Sequence, residues 1–454
     1  MAIRPAIVCA IAFGVAACGG TNAGTSTTGA IPARPAPAIP AAKRKIKHVV
    51  IVIQENRSFN NLFYGYPGAL TKKHGYDSYG KRIKLLPVPL ETTWDIEHSS
   101  DGFFKACNGT GSIPGTNCRM NGFNNELVTC TPSGSNPCPI KYPPYAYVPH
   151  AETKPYFDMA ANYVLADQMY ASNFDTSSFV SHQYIISAQA NGSVNYPFQI
   201  NWGCSGGSGD QIATLGPQRQ IPNGYEQVCW DVPTLADELD QAKLPWAYYA
   251  ETYSSRWGIW SAYQVIKHIY YGQDWSKDVF SPPAQFLTDV AAGNLRTVTW
   301  IAPTCANSDH AGCGSNTGPA WVASIVNAIG TSKFWKSAAI FVFWDDYGGW
   351  YDSQPPAYVD YDGLGFRLPM LIISPYAKKG YVSHVHYEHG SILKFVEDQF
   401  GLGRLSASDA RANSPAPDCF DFNQSPRPFE IIPSPHDARF FLHQAPDNRI
   451  PDAE

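Results

Sequence analysis

The stretch Lys47–Asn60, KHVVIVIQENRSFN, constrains the fold strongly because an apolar run leads directly into a polar segment. Its β-branched part, Val49–Ile53, predicts a strand buried on both faces, as in a parallel sheet covered by helices. In open parallel sheets, ligands and reacting groups collect at the carboxyl ends of the strands. The sequence therefore predicts that Glu55 and Asn56, which follow this strand, lie at a functional edge.

A second apolar run ends in the same way. Ile340–Trp344 predicts another buried strand and is followed at once by Asp345 and Asp346. Because parallel strands end at the same edge of a sheet, these two carboxylates are predicted to face Glu55 and Asn56. Three carboxylates and an amide oxygen are suitable hard ligands for one divalent metal ion that serves phosphoryl transfer.

The same residues also have a purely structural interpretation. Glu55 and Asn56 could cap the helix that follows them, and Asp345-Asp346 could begin a turn before Gly348-Gly349. From the residues alone, both interpretations stay open. The identity of a bound ion is open as well, since oxygen ligands favour magnesium, calcium or manganese and carboxylates also bind zinc.

Short apolar runs alternate with amphipathic stretches along the rest of the chain, which predicts an α/β fold with a mainly parallel sheet, helices on both faces and looped insertions. Cys107–Pro144 is predicted to be such an insertion. The predicted strands are His48–Ile53, Trp246–Ala250, Val298–Ala302, Ala339–Trp344 and Pro369–Ser374. The predicted helices are Pro155–Asp167, Thr234–Ala242, Pro319–Ile329 and Ser391–Phe400.

The N-terminal segment is predicted to direct export. Its apolar run, Ala6–Ala17, is too short to span a bilayer but suits a signal peptide over residues 1–17. Val15–Gly19 resembles a bacterial lipobox, in which Cys18 would be acylated and would anchor the protein to the membrane; cleavage without acylation is the alternative. Residues 18–44 are predicted to form a flexible tether, and residues 45–454 a single catalytic domain in the cell envelope, either anchored or secreted.

Nine cysteines follow the lipobox, and an exported protein can oxidise them. Sequence spacing does not fix the pairing, but eight of them could pair with a neighbour and leave Cys419 over. The neighbouring pairs are Cys107 with Cys118, Cys130 with Cys138, Cys204 with Cys229 and Cys305 with Cys313.

Composition argues against a nucleic-acid partner. The chain has 454 residues, 44% of them hydrophobic, and a formal net charge of -5. A polyanion is normally met by a strongly basic surface, whereas this chain is weakly acidic. Its length and apolar content are sufficient for one large core.

Three segments resemble the signatures of the bacterial phosphoesterase family that contains phospholipases C and respiratory-burst-inhibiting acid phosphatases. Lys47–Asn60 is similar to the first signature, Phe343–Asp352 to the second and Glu388–Glu397 to the third. The matches occur in the right order over about Ile46–Leu405. The resemblance implies an alkaline phosphatase-like core with a metal ion at the strand ends.

The resemblance also implies a serine or threonine nucleophile that ligates the metal. Ser178 occupies that position in Ser178–Ala188, although Val180 stands where the family usually has proline. Because of that departure, Ser181 is a second candidate for the nucleophile. Without the resemblance, either serine would be read as a helix cap or turn residue.

Three histidines resemble family residues near the phosphate. His98 and His389 lie in matching segments, and His310 follows Asp309 as in the family's Asp-His-Pro, with Ala311 in place of proline. Each is expected to donate a hydrogen bond to a phosphoryl oxygen or to protonate the leaving group. A satisfied structural histidine is the alternative for each. His384 and His386 are expected to lie on the surface.

The chain is therefore expected to be an exported phosphoester hydrolase that forms a phosphoseryl intermediate. Its substrates are expected to be phosphomonoesters or phospholipid-type phosphodiesters. One alternative is a catalytically inactive surface lipoprotein that binds glycans or host proteins. A sulfatase-like hydrolase is the other, because Cys130–Gly134 superficially resembles a sulfatase motif, although Gly134 replaces the arginine which that motif requires.

Overall fold

The centre of the fold is a nine-stranded sheet whose strands all lie within the part of the chain that can be described. The computed structural model describes residues 44–131, 135–175, 177–199, 201–251, 258–447, 449 and 452. The predicted signal peptide, Cys18 and nearly all of the predicted tether lie outside these residues.

The strands of the described chain belong to this sheet and to three small ones. In chain order they are β1 (His48–Gln54), β2 (His74–Tyr76), β3 (Arg82–Lys84), β4 (Leu86–Pro87), β5 (Ala146–Tyr147), β6 (Val164–Tyr170), β7 (Ser193–Val194), β8 (Gln211–Thr214), β9 (Gly224–Gln227), β10 (Trp246–Tyr249), β11 (Val279–Phe280), β12 (Val298–Ile301), β13 (Ala338–Trp344), β14 (Arg367–Ile373), β15 (Tyr381–Ser383) and β16 (Tyr387–Glu388).

The central sheet is mainly parallel and has the order β11-β10-β12-β1-β13-β14-β6-β15, with β16 also paired to β6. Strand β1 is parallel to both β12 and β13. Strand β14 is antiparallel to its neighbours β13 and β6, so β6 again points the same way as β13. The carboxyl ends of β1, β6, β12 and β13 therefore lie at one edge.

Helices cover the sheet. The α-helices of the described residues are α1 (Phe59–Leu62), α2 (Ser100–Cys107), α3 (Lys154–Asn162), α4 (Ser178–Ser187), α5 (Leu235–Gln241), α6 (Lys267–Tyr270), α7 (Gln273–Asp278), α8 (Gln285–Ala291), α9 (Gly318–Gly330), α10 (His389–Phe400), α11 (Ala407–Arg411), α12 (Ala416–Cys419) and α13 (Ala438–Leu442). Successive strand residues point to opposite faces, and every residue of β6, β13 and β14 is buried. The sheet is therefore covered on both faces, and the expected α/β fold is confirmed.

Two helices that flank the functional edge have clear end signals. Helix α4 follows Ser177 in extended conformation and ends before Ala188 in the left-handed region. Helix α10 begins with a capping box between Glu388 and Ser391 and ends at Gly401, whose φ of 72° favours glycine. These signals fix the first residue of each helix at the sheet edge.

The prediction of one helix over Pro155–Asp167 is wrong in its second half. Helix α3 ends at Asn162, and strand β6 begins at Val164. The strand is hard to recognise because it carries Asp167 although it is buried throughout. The Asp167 carboxylate accepts a hydrogen bond from the Leu70 amide at 2.8 Å and lies 2.9 Å from His384 Nδ1.

All four neighbouring cysteine pairs form disulfides, and Cys419 is a buried free thiol. Two of the bridges lie within the predicted insertion Cys107–Pro144, where short turns and a 3-10 turn dominate. Because Cys130 is bonded to Cys138, it is not free to serve as the modified cysteine of a sulfatase. Residues 132–134 of that motif lie outside the described residues.

The loop between β13 and β14 is closed by a buried ion pair. Asp352 receives two hydrogen bonds of 3.0 Å from the Arg367 guanidinium, and both side chains are fully buried. Asp352 also accepts the amide of Asn60 at 3.0 Å, which ties the loop to α1.

Among the helices of the described chain, none combines the length and the apolarity that a membrane span needs.

Candidate active site

Four strands of the central sheet deliver the predicted site residues to one edge. Glu55 and Asn56 follow β1, and Asp345 and Asp346 follow β13. Strand β6 leads through a short loop into α4, whose first residue is Ser178. Strand β12 leads to the loop that carries His310, completing a set brought together by the parallel topology.

The first two pairs of residues meet because β1 and β13 are adjacent. The Asp345 amide donates to the Gln54 carbonyl oxygen at 3.0 Å, and the Asn56 amide donates to Asp345 Oδ1 at 3.0 Å. Asn56 has a left-handed φ of 59°, which asparagine tolerates better than most residues. A Cβ at Gly348 would lie only 2.1 Å from the Asn56 carbonyl oxygen. Glycine at this position therefore permits the close approach of the two strand ends.

Ser178 lies between the strand ends and is fully buried. Its Oγ is 3.3 Å from Asp346 Oδ2 and 3.3 to 3.4 Å from the two polar atoms of the Asn56 amide. As the first residue of α4, it has a backbone N–H that faces away from the helix interior and donates to Tyr196 Oη at 3.2 Å. The Ser181 hydroxyl instead contacts the amide of Asn173.

Three carboxylates adjoin Ser178 or the Asn56 side chain, and we call Glu55, Asp345 and Asp346 the carboxylate cluster. All three are fully buried. Burial, and then the charge of Asp345, raises the pKa of Glu55 and of Asp346 well above its ordinary value. Within the described chain, Asp345 Oδ2 has no hydrogen-bond partner.

These features fit a metal ion. Glu55, Asp345 and the nearby His182 offer ligand atoms within 4.8 Å of one another. Burial lowers the pKa of His182 to about 4, and this effect outweighs the opposing effect of Asp345, so the imidazole is neutral. It therefore does not balance the carboxylate charges, whereas a cation would. Buried Asp, Glu and His groups at this edge could thus hold a metal ion.

A second group contacts the Ser178 backbone and the Asn56 side chain, and we call His98, His310 and Tyr196 the histidine pocket. His98 Nδ1 lies 2.7 Å from the Ile96 carbonyl oxygen, so this nitrogen carries the hydrogen. His310 Nδ1 faces the Ala311 carbonyl oxygen in the same way. Both Nε2 atoms are thereby directed toward the site, where each donates a hydrogen bond when its ring is protonated.

Asn56 joins the two groups. The amide orientation that satisfies all its neighbours turns the oxygen to His98 Nε2 at 2.7 Å and to His310 Nε2 at 3.1 Å. The amide nitrogen then donates to Glu55 Oε2 at 3.1 Å and to Asp345 Oδ1 at 3.2 Å. One short side chain thus contacts both the carboxylate cluster and the histidine pocket.

The residues of the first signature that do not face the site hold the loop of His310. Gln54 donates to the Asn307 carbonyl oxygen and accepts the Asp309 amide, each at 3.0 Å. Arg57 donates from Nε to the Asp309 carbonyl oxygen at 2.7 Å and stacks on Trp350 with its centre 4.5 Å from the ring. The signature therefore positions a histidine more than 250 residues away.

The model of the Phosphoesterase family matches residues 46–403, which is most of the chain. The chain belongs to the Phosphoesterase family. This membership confirms the resemblance found in the three signatures and places the chain among the phosphoric ester hydrolases.

Curated relatives of this phosphoesterase include plant and bacterial phospholipases C. It is 23% identical to "Non-specific phospholipase C1" of Arabidopsis thaliana, over 79% of this chain and 67% of the relative. It is 24% identical to "Non-hemolytic phospholipase C" of Burkholderia pseudomallei, over 81% of this chain but only 57% of the relative. The chain thus spans little more than half the length of the bacterial relative.

Solved structures that resemble the phosphoesterase include a protein of the alkaline phosphatase superfamily from Vibrio parahaemolyticus. The aligned region covers 80% of this chain and 68% of the chain in that structure, with 10% identity and a TM-score of 0.34.

His389 lies at the end of β13, beside the backbone of Trp344 and Asp345. Its Nδ1 accepts the Ser172 amide at 3.4 Å, and its ring centre is 5.7 Å from that of Phe343. Burial lowers the pKa of His389 to about 4, which outweighs the opposing charge of Asp345. His384 and His386 are exposed, as expected.

Three residues at the site escaped the sequence analysis. His182 Nε2 donates to Glu55 Oε1 at 3.0 Å; its position four residues after Ser178, on the same helix face, was an available signal. Tyr196 and Asp452 had no such signal, because neither lies in a signature. Asp452 is fully buried, and its Oδ2 accepts a hydrogen bond of 2.5 Å from Tyr196 Oη.

Proposed function

We propose that this phosphoesterase is an exported, metal-dependent hydrolase in which Ser178 is the nucleophile. The observation that carries the proposal is the position of the Ser178 hydroxyl, which adjoins both a group that suits a cation and a group that suits an anion. The carboxylate cluster contacts it, with Asp346 Oδ2 at 3.3 Å. The histidine pocket is joined to it through Asn56.

The residues proposed to hold one divalent ion are Glu55, Asn56, Ser178, Asp345 and Asp346. Ligation by Asn56 requires its amide oxygen to turn toward the carboxylates. When bound, the ion would lower the pKa of the serine hydroxyl and offset negative charge on the phosphoryl group.

The proposed reaction has two steps. Ser178 Oγ attacks phosphorus and forms a phosphoseryl enzyme, while its hydroxyl proton passes to the adjacent Asp346 carboxylate. His98 or His310 gives a proton to the departing alcohol, and both ring nitrogens directed at the site are suited to donate to phosphoryl oxygens. Water then attacks the phosphoseryl group and gives a proton to that histidine, while Asp346 returns its proton to Ser178 Oγ, which releases the phosphate product and restores the hydroxyl.

His389 is also proposed to act in the reaction, in a supporting role. It lies beside the backbone that carries Asp345 rather than beside Ser178, so we assign it the positioning of that strand end. This differs from the direct contact with phosphate that the resemblance implied.

The substrate class is proposed to be a phosphomonoester or a phospholipid-type phosphodiester. Two named relatives are phospholipases C, which supports the diester. The test is turnover of p-nitrophenyl phosphate and of p-nitrophenylphosphorylcholine, each with added divalent ions and again with a chelator. We expect turnover of at least one ester and its loss in chelator. If neither ester, nor a wider phosphoester panel, is hydrolysed in any metal, the alternative of an inactive surface protein is favoured.

Export is supported by the four disulfides, since such bridges persist in oxidising compartments. We propose that Cys18 carries the lipid that anchors the protein in the cell envelope. Metabolic labelling with a radioactive fatty acid tests this, with Cys18→Ala as the unlabelled control. Labelling that persists in Cys18→Ala would contradict the assignment.

A further inference from the structure

A carboxylate from the C-terminal end of the chain lies inside the histidine pocket. Asp452 Oδ2 is 2.5 Å from Tyr196 Oη, 3.8 Å from His98 Nε2 and 4.0 Å from His310 Nε2. The side chain of Asp452 is fully buried. It is therefore the anion that this part of the site receives in the structure.

The position is unfavourable for a carboxylate that has no role there. The carboxyl groups of the carboxylate cluster lie close enough for the charge of Asp452 to contribute to the raised pKa of Glu55 and of Asp346. Burying a charge among like charges is costly unless specific donors compensate it. The hydroxyl of Tyr196 and the two imidazoles supply that compensation.

The segment before Asp452 is attached to the loop that carries His310. Gln444 accepts a hydrogen bond of 2.8 Å from Asn307, and the Asp447 carboxylate accepts the amide of Ala306. Arg449 donates to the Cys313 carbonyl oxygen. These contacts hold Asp452 at a high effective concentration next to the histidine pocket.

We propose that Asp452 is a built-in competitor for the phosphoryl group, and that Tyr196 is a further residue that binds that group. The proposal rests on the proposed function of the same site. Asp452 occupies the place where a phosphoryl oxygen would accept a hydrogen bond from Tyr196 and lie beside the imidazoles of His98 and His310. Substrate therefore has to displace Asp452 before it can bind. Because only molecules whose pocket is free of Asp452 bind phosphate, the apparent dissociation constant of any phosphate ligand is raised.

Tyr196 is suited to this binding role because its hydroxyl meets both the anion and the nucleophile. It donates to Asp452 and accepts the Ser178 backbone amide at 3.2 Å. Once Asp452 has left, the same O–H can donate to a phosphoryl oxygen held next to Ser178 Oγ.

The test compares wild type, Asp452→Ala and Asp452→Asn, with Glu430→Gln as a matched control that removes an exposed carboxylate paired only loosely with Lys379. Calorimetry with inorganic phosphate, in Mn²⁺ and again in EDTA, reports binding without turnover. We expect Asp452→Ala to bind phosphate at least about 5-fold more tightly and to lower KM for p-nitrophenyl phosphate by a similar factor. Its kcat and manganese content should match those of wild type.

A second arm places Tyr196→Phe in the Asp452→Ala background. Loss of the hydroxyl should weaken phosphate binding there about 5-fold or more, and less in wild type, where it also weakens the competitor. An equal effect in both backgrounds would overturn the shared subsite. Reduced manganese content or reduced kcat in Asp452→Ala, with unchanged phosphate binding, would instead make Asp452 a metal ligand or a catalytic residue and overturn the proposal.

The two proposals fail separately. If no variant hydrolyses any ester but Asp452→Ala binds phosphate more tightly, the proposed function fails and the competition stands. If wild type hydrolyses esters and Asp452→Ala shows no gain in phosphate affinity, the competition fails and the proposed function stands.

Discussion

The carboxylate cluster and the histidine pocket both border Ser178 and differ in their chemistry. The carboxylate cluster holds Glu55, Asp345 and Asp346 without a lysine or arginine ion pair among the described residues. The histidine pocket presents one hydroxyl and two imidazoles, and the Asp452 carboxylate lies among them. We propose that the two groups recognise a cation and an anion separately, with the proposed nucleophile, Ser178, in contact with both.

The largest effect is expected from removing the hydroxyl that both groups border. Ser178→Ala should lower kcat/KM by about 10³-fold or more, because no other hydroxyl is placed between the carboxylate cluster and the histidine pocket in the described chain. Steady-state kinetics and trapping of the phosphoenzyme measure the loss. Ser181→Ala is the matched control and should stay within about 3-fold of wild type. Full activity of Ser178→Ala, or loss in Ser181→Ala alone, would move the nucleophile to Ser181.

Asp345→Asn should separate two effects of charge in the carboxylate cluster, metal binding and the stability of the metal-free protein. In metal, turnover should fall by about 10²-fold together with the bound-ion content, because a ligand is lost. In chelator at alkaline pH, the variant should have a free energy of unfolding in urea higher than wild type by roughly 1 kcal/mol or more, because the charge of Asp345 opposes the ionisation of Glu55 and Asp346. Elemental analysis and urea denaturation give both results. A variant less stable than wild type in chelator would show that the cluster is not built for a cation.

Removal of the three candidate histidines should lower turnover by different amounts. His98→Ala and His310→Ala are each expected to lower kcat/KM by about 10²-fold, since both imidazoles face the site. His389→Ala should cost less than about 10-fold, because that ring lies beside the Asp345 backbone. The three variants are compared with p-nitrophenyl phosphate at equal metal saturation. If His389→Ala is the most severe, the assignment of His98 and His310 to the phosphoryl group is wrong.

The smallest effect on turnover is expected from a buried carboxylate that has its own cation. Asp352 is paired with Arg367, so Asp352→Asn should lower the free energy of unfolding by about 3 kcal/mol, equally in metal and in chelator. Turnover per folded molecule should change by less than about 3-fold. A stability loss that appears only with metal would connect Asp352 to the carboxylate cluster and weaken the contrast.

The sequence predicted the edge of the sheet well because continuous β-branched runs end abruptly at polar residues. That pattern gave β1 and β13 and hence the positions of Glu55 and Asp345. It failed for β6, where a buried strand contains Asp167 and follows a helix without a break in apolar character. The hydrogen bonds that make the burial of Asp167 possible depend on residues distant in the sequence.

Contacts between residues far apart in the sequence could not be predicted either. The link between His182 and Glu55 joins residues 127 positions apart, and the link between Tyr196 and Asp452 joins residues 256 apart. No periodicity or local spacing encodes such contacts, which follow only from the packed fold. The roles of Gln54 and Arg57 in holding the His310 loop were hidden for the same reason.

The direction of the antiparallel strand β14 allows one loop of the protein to be replaced by another segment. Because β14 begins at the functional edge, residues 353–366 leave and re-enter the sheet beside the site, and the Asp352–Arg367 pair closes them at the base. Tyr358, Val359 and Tyr361 are exposed on this loop. A segment of different length could therefore be grafted between the two paired residues to alter what approaches Ser178, while the strands that carry the metal and phosphoryl ligands keep their register.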